Sequence, residues 1–180
     1  MGGGIDGAGP DYALAVQWLS RAASAGDARA MTHLGDLYEK GQGVASNPER
    51  AEELYRTAAG KGYSLAMERL AQDIVAEGGD LAEARALAEM AVTREGQPAY
   101  HDTLGTVLKL QGDYAGAEEQ YLQAMKKSPR YSQAREHLGD LYWEQGRRSE
   151  AEALWQEARE LAKDEDDRAR IEAKLEKVSY

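Results

Sequence analysis

The sequence predicts an all-α protein, an α-solenoid of stacked antiparallel helix–turn–helix repeats with a C-terminal capping helix. Three observations carry this expectation. The stretch HLGDLY occurs at residues 33–38 and again at 137–142, 104 residues apart. Between the two copies one slot recurs, as Leu34-Gly35, Leu70-Ala71, Leu104-Gly105 and Leu138-Gly139, at intervals of 36, 34 and 34 residues. Self-similarity at a fixed period of this length marks a repeat architecture. Composition points the same way: the 180 residues include no phenylalanine and four prolines, and Ala, Leu, Glu, Gly and Arg dominate. Such a mixture suits helix and lacks the β-branched and aromatic residues that strands favour.

Within each unit the elements follow in a constant order. Three residues beyond the Gly or Ala of the slot stand Tyr38, Ile74, Leu108 and Tyr142, one helical turn on. A Gly-containing turn comes next: Gly41-Gln42-Gly43, Gly78-Gly79-Asp80, Gly112-Asp113 and Gly146-Arg147. An Ala-rich second helix completes the unit, as in Ala51-x3-Tyr55-x2-Ala58, Ala84-x3-Ala88-x2-Ala91, Ala117-x3-Tyr121-x2-Ala124 and Ala151-x3-Trp155-x2-Ala158. Small residues let helix backbones approach, and the large ones fill the space between them. A lone helix pair cannot bury its apolar stripe, so stacked neighbours supply the core.

Helices are expected over 11–25, 28–40, 48–60, 64–77, 81–94, 98–111, 114–127, 132–145, 148–162 and 166–178. The last follows the acids Asp164, Glu165, Asp166 and Asp167, which suit a helix N-terminus. Its narrow apolar stripe, Ile171, Leu175 and Val178, leaves Arg168, Arg170, Glu172, Lys174 and Glu176 for solvent, as a capping helix should.

Residues 98–131 resemble a tetratricopeptide repeat, through Leu104-Gly105, Leu108, Ala117-x3-Tyr121, Ala124 and Pro129. Residues 132–163 resemble a second, through Leu138-Gly139-x2-Tyr142 and Ala151-x3-Trp155; His101 and Arg135 replace the family's first-helix tryptophan. Residues 28–63 resemble a Sel1-like repeat, through Ala30-x3-Leu34-Gly35-x2-Tyr38, Gly41-Gln42-Gly43-Val44, Ala51, Ala58-Ala59 and Gly62. Residues 12–27 repeat the second half of that pattern, with Ala15, Ala22-Ala23 and Gly26 lying 36 residues earlier. The expected organisation is a flexible Gly-rich N-terminus over 1–10, Sel1-like repeats over 11–63 with the first truncated, a degenerate transition repeat over 64–97, two tetratricopeptide repeats over 98–163 and the capping helix over 164–180. The resemblance implies a right-handed superhelix.

Gly4-Ile5 reads as the remnant of a Gly-x-Gly-Val turn, which makes the first helix a second helix without its first. That uncapped helix exposes Val16, Leu19 or Trp18, offers a surface for association, and suggests a fragment of a longer repeat protein. Oligomeric state stays open.

Net charge is −10, from 32 acidic and 22 basic side chains, which disfavours nucleic acid and anionic membrane as partners. Cysteine is absent, which excludes disulfides, thiolate nucleophiles and cysteine-ligated zinc. No run approaches the ~18 apolar residues of a membrane span, and no secretory signal opens the chain. Localisation is left open between cytoplasm and, for a mature fragment, periplasm. Residues 2–7 match G-x-G-x-x-G without the strand and helix that a dinucleotide site needs. The three histidines read as surface or groove-flanking residues, and no G-x-S-x-G or H-E-x-x-H occurs. No cofactor, metal or catalytic residue is called for.

In tetratricopeptide proteins the first helices of successive repeats line a concave groove that holds a peptide. By resemblance the groove here comprises Asp36, Glu39, Glu68, Gln72, Asp102, Thr106, Lys109, Glu136, Asp140 and Trp143. Of all groove slots seven are acidic, these acids together with Glu144, and three are basic, Arg29, Lys40 and Lys109. The family's carboxylate-clamping ligands therefore do not fit, and a basic or neutral segment anchored on Trp143 does. The expected function is a non-catalytic protein-interaction scaffold or adaptor. Alternatives are a regulatory or substrate-recruiting module of a larger enzyme or a secretion or envelope assembly, and, less well supported, a hydrolase.

Overall fold

Short acidic or amide side chains start most of the helices. Asp27, Asn47, Asp80, Asp113 and Asp164 each accept a hydrogen bond from a backbone N–H in the turn they cap, which satisfies a donor that the helix itself leaves free. The computed structural model describes residues 11–177. Its helices are α1 (Tyr12–Ser24), α2 (Ala28–Lys40), α3 (Pro48–Gly60), α4 (Ser64–Ala76), α5 (Leu81–Arg94), α6 (Pro98–Leu110), α7 (Tyr114–Lys127), α8 (Ser132–Glu144), α9 (Arg148–Leu161) and α10 (Glu165–Glu176). Each expected helix is present, with ends shifted by a residue or two, and no strand occurs among the described residues. The remnant turn at Gly4-Ile5, the G-x-G-x-x-G match, the N-terminal segment 1–10 and Val178 lie outside the described residues.

The chain divides into two compact units, with the boundary between Asp73 and Ile74 inside α4. In the first unit α1 packs on α2 and α2 on α3. In the second, each helix from α5 to α10 packs on the next, and α6 also touches α8, so first helices of successive repeats meet.

Inside each repeat one contact recurs. The glycine of the first helix faces an aromatic ring of the second: Gly35 against Tyr55, Gly105 against Tyr121, Gly139 against Trp155. A methyl group on these glycines would stand 2.5, 2.7 and 2.6 Å from the ring, closer than any real contact. Alanines of the second helices close the rest of the interface: Ala51, Ala58, Ala84, Ala91, Ala117, Ala124, Ala151 and Ala158 are no more than 1% exposed. Close approach without voids is what dense packing requires.

The turn joining α2 and α3 is longer, Gly41 to Asn47 against three residues at 111–113 and 145–147. Gly43 adopts φ +72° and lies directly against the backbone of Tyr12, where a side chain would collide. Only glycine fits both demands. This turn thus anchors α1, whose Trp18 is 61% exposed and stacked with Arg21, with Leu14 exposed on the same face. Val16 and Leu19 are half-buried.

The capping helix departs from expectation. Ile171 is buried and Leu175 half-buried, but Arg170 and Lys174 are not simply solvated; both reach back to α8. The reason is a carboxylate buried on α8.

Candidate functional site

Two residues before the recurring leucine, each first helix carries a polar side chain that is buried: Thr32, Glu68, Asp102 and Glu136, at 0, 2, 5 and 2% exposure. A buried charge must be paired and hydrogen-bonded, and the structure shows how. Glu68 accepts from Gln72 Nε2 at 2.7 Å and from Arg69 at 3.1 Å. Asp102 faces His137, with Nδ1 2.9 Å from one carboxylate oxygen and 3.1 Å from the other, and Tyr131 beyond. Glu136 takes both arms of Arg170 at 2.9 and 2.8 Å and the ammonium of Lys174 at 2.7 Å. Burial opposes ionisation of Glu136, but the hydrogen bonds and charges of Arg170 and Lys174 outweigh it and hold the carboxyl down at about 2. Burial likewise opposes charge on His137, yet Asp102, with Glu136 and Asp140 behind it, raises its pKa.

Two residues after the leucine stand Asp36, Gln72, Thr106 and Asp140, three of which hold the polar atom of the ring packed on the glycine. Tyr55 donates to Asp36 at 2.9 Å and to Glu39 at 2.9 Å. The hydroxyls of Tyr121 and Thr106 lie 3.3 Å apart. Trp155 Nε1 donates to Asp140 Oδ1 at 3.1 Å. Burial, and then the neighbouring carboxylates, push the Tyr55 phenol far up, so it stays a donor. Asp36 also accepts from Arg69 Nε at 3.1 Å, and Asp140 binds Lys174 through both oxygens at 2.8 and 2.7 Å.

The groove positions inferred from the sequence therefore divide. Glu68, Asp102 and Glu136 have buried side chains and are engaged within the fold. Asp36 and Asp140 are half-buried supports of a ring. Glu39 and Gln72 are exposed on the first unit. On the second, Thr106 is half-buried, and Lys109 pairs with exposed Glu144 at 2.8 Å. Trp143 lies half-buried beside Trp155, ring centres 5.4 Å apart, with the Arg148 guanidinium 4.1 Å above it. Lys109, Asp140, Trp143, Trp155, Lys174 and Lys177 line a pocket of about 190 Å³ there.

The cations Arg69, His137, Arg170 and Lys174 were not among the expected site residues. Their signal was spacing: Asp36 to Arg69, Asp102 to His137 and Glu136 to Arg170 are separated by 33, 35 and 34 residues, one repeat each. His101 also differs from expectation. It is 8% exposed rather than on the surface, because it points toward the second helix, where Nδ1 lies 2.8 Å from Gln120 Oε1.

A second concavity, about 670 Å³, opens between α1, α2 and α3, floored by Met31, Leu34 and Leu54 and rimmed by Arg50 and Glu53. Among the described residues no group of three His, Asp or Glu is placed to hold a metal, and no helix is long and apolar enough to cross a membrane.

The Sel1 repeat model matches residues 1–27 and 28–63, and the tetratricopeptide repeat model matches 103–167. The chain belongs to the Sel1-like and tetratricopeptide repeat proteins. This repeat protein is 45% identical over 60 residues to DAP3-binding cell death enhancer 1 of Mus musculus, a stretch covering 33% of the chain but 12% of that relative. Its fold resembles a Sel1 repeat protein from Oxalobacter formigenes, with TM-score 0.66 and 25% identity, covering 81% of this chain and 61% of the other. It also resembles a protective antigen of uropathogenic Escherichia coli with an SLR fold, with TM-score 0.67 and 21% identity, covering 82% and 33%. The repeat protein thus spans less than two thirds of each of these proteins. Repeats of this kind generally serve as scaffolds for protein interaction and are typically non-catalytic.

Proposed function

We propose that this chain is a non-catalytic scaffold that holds a basic or neutral segment of a partner protein against the first-helix face of its C-terminal repeats. The observation that carries the reading is the Trp143 pocket. It combines a half-buried aromatic ring with an exposed carboxylate, Glu144, and the lysine paired with it, Lys109. Aromatic anchors in a pocket, rimmed by charge, dominate the energetics of protein recognition. Acids elsewhere on the face contribute less than their number suggests, since Arg69, His137, Arg170 and Lys174 already answer most of them.

The test is peptide-display selection on the whole chain at low and high salt, followed by affinities for Trp143→Ala and Glu144→Lys. Enriched peptides that lose roughly tenfold or more on Trp143→Ala support the site. Peptides that bind both variants as well as the parent would refute it. Charge reversal at Glu136 is a poor probe, because a lysine there would be buried against Arg170 and Lys174.

A further inference from the structure

Within the second unit, helix α10 meets α8 with little apolar surface and much charge. Ile171 is its buried residue. Around it, Arg170 and Lys174, one turn apart, face Glu136 and Asp140, also one turn apart on α8. Lys174 bridges both acids, and Asp140 in turn accepts the indole of Trp155. The two helices therefore match as complementary i,i+4 pairs, with Trp155 beneath and the Trp143 pocket alongside.

We propose that this acidic edge of α8 is a docking surface for a partner helix bearing two cations one turn apart with an aliphatic residue beside the first, and that α10 occupies it as an internal stand-in. Charge complementarity selects the occupant. Glu136 is too deeply buried to be left ionised alone, so whatever displaces α10 must bring cations in the same geometry. A neutral or acidic helix would leave two carboxylates without counter-charge. Displacement is feasible because α10 contributes one buried aliphatic side chain, Ile171, and otherwise holds the edge through polar pairs, of which the Arg170 end is 49% exposed. It is also opposed, because three residues, 162–164, join α9 to α10 and give the tethered helix an effective concentration on the order of millimolar. The edge is thus gated: a partner gains access as α10 is loosened. This deepens the partner-binding reading of the same face and rests on it.

The test uses the whole chain and a labelled peptide of residues 164–177 supplied in trans, read by fluorescence anisotropy. The Arg170→Ala, Lys174→Ala double variant should bind the peptide at least roughly tenfold more tightly than the parent, since the tethered competitor is weakened. The same peptide carrying both alanines should not bind, and about 0.5 M salt should weaken the complex. Equal binding by parent and variant, or equal binding of the charged and uncharged peptides, overturns the proposal. Should the double variant fail to fold, hydrogen exchange on the parent decides. Exchange in α10 faster than in α8 and accelerated by salt supports the gate; salt-independent exchange of the two helices together overturns it. If display-selected peptides bind through Trp143 but the double variant gains nothing, the gate alone fails. If no peptide binds either protein, both readings fail.

Discussion

The indole N–H of Trp155 donates to Oδ1 of Asp140 across 3.1 Å, while the same ring packs edge-on against Gly139. One residue thus ties the second helix of its repeat to both the packing and the polar face of the first. Trp155→Phe keeps most of the apolar contact and removes the donor. Asp140 retains Lys174, so the expected loss is about 1 kcal/mol, measured by urea unfolding followed through Trp143.

The glycine opposite each ring permits a sharper test. Gly139→Ala places a methyl group 2.6 Å from Trp155, and Gly105→Ala one 2.7 Å from Tyr121. Neither ring can retreat, since each is buried with its polar atom engaged. Each substitution is expected to cost about 1–3 kcal/mol through overpacking. Gly60→Ala, where nothing lies within 4 Å, should be far milder.

Glu136 makes the C-terminal end sensitive to acid. Its folded pKa, about 2, lies below its ordinary 4.5, so its contribution is complete above 4.5 and is lost as pH falls toward 2. The difference is worth up to about 3 kcal/mol. Far-ultraviolet circular dichroism with Trp143 and Trp155 fluorescence should show α10 loosening over that window. Glu136→Gln should flatten the dependence and lower stability at neutral pH.

His137 runs the other way. Its pKa is raised by Asp102, so the pair is fully present below the ordinary histidine value and is lost as pH rises through the folded one. Stability of the second unit should therefore decline between mildly acidic and mildly alkaline pH. His137→Gln should remove that slope, checked by urea midpoints across the range.

At the other end, Asp27→Ala removes the acceptor for the Ala30 N–H at 3.0 Å and should cost about 1 kcal/mol. The effect should show in Trp18 fluorescence, which reports on the first unit.

The repeats were legible because packing constrains them. Leu34, Leu104 and Leu138, the glycines beside them, and the aromatics Tyr55, Tyr121 and Trp155 can be only a few residue types, so the period survives in the letters. The face of the first helices was legible in position but not in state. Glu68, Asp102 and Glu136 read as free acids because a carboxylate in sequence carries no mark of burial. Asp102 and Glu136 are satisfied from the following helices, by His137 and by Arg170 with Lys174, and Glu68 by Arg69 and Gln72 of its own helix. Arg170 and Lys174 read as solvated for the same reason: α10 alone is polar nearly all round, and its inward charges make sense only against α8. The spacing of 33 to 35 residues between acid and base was available, yet acids and bases are common enough here that one such match says little. Three, each about one repeat apart, say more.

Asp36 with Arg69, Asp102 with His137 and Glu136 with Arg170 also restrict how such an array can evolve. In each pair the acid precedes and its answering base lies one repeat later, so the joints are keyed and directional. A repeat excised, duplicated or transplanted by recombination would carry a sunken carboxylate to a neighbour lacking the matching base. These units resemble numbered stones of an arch more than interchangeable bricks. Length variants of this chain should arise by whole-block changes that keep both members of a key, or by first replacing the acid with a residue such as Thr32, which satisfies itself on its own helix through Ala28.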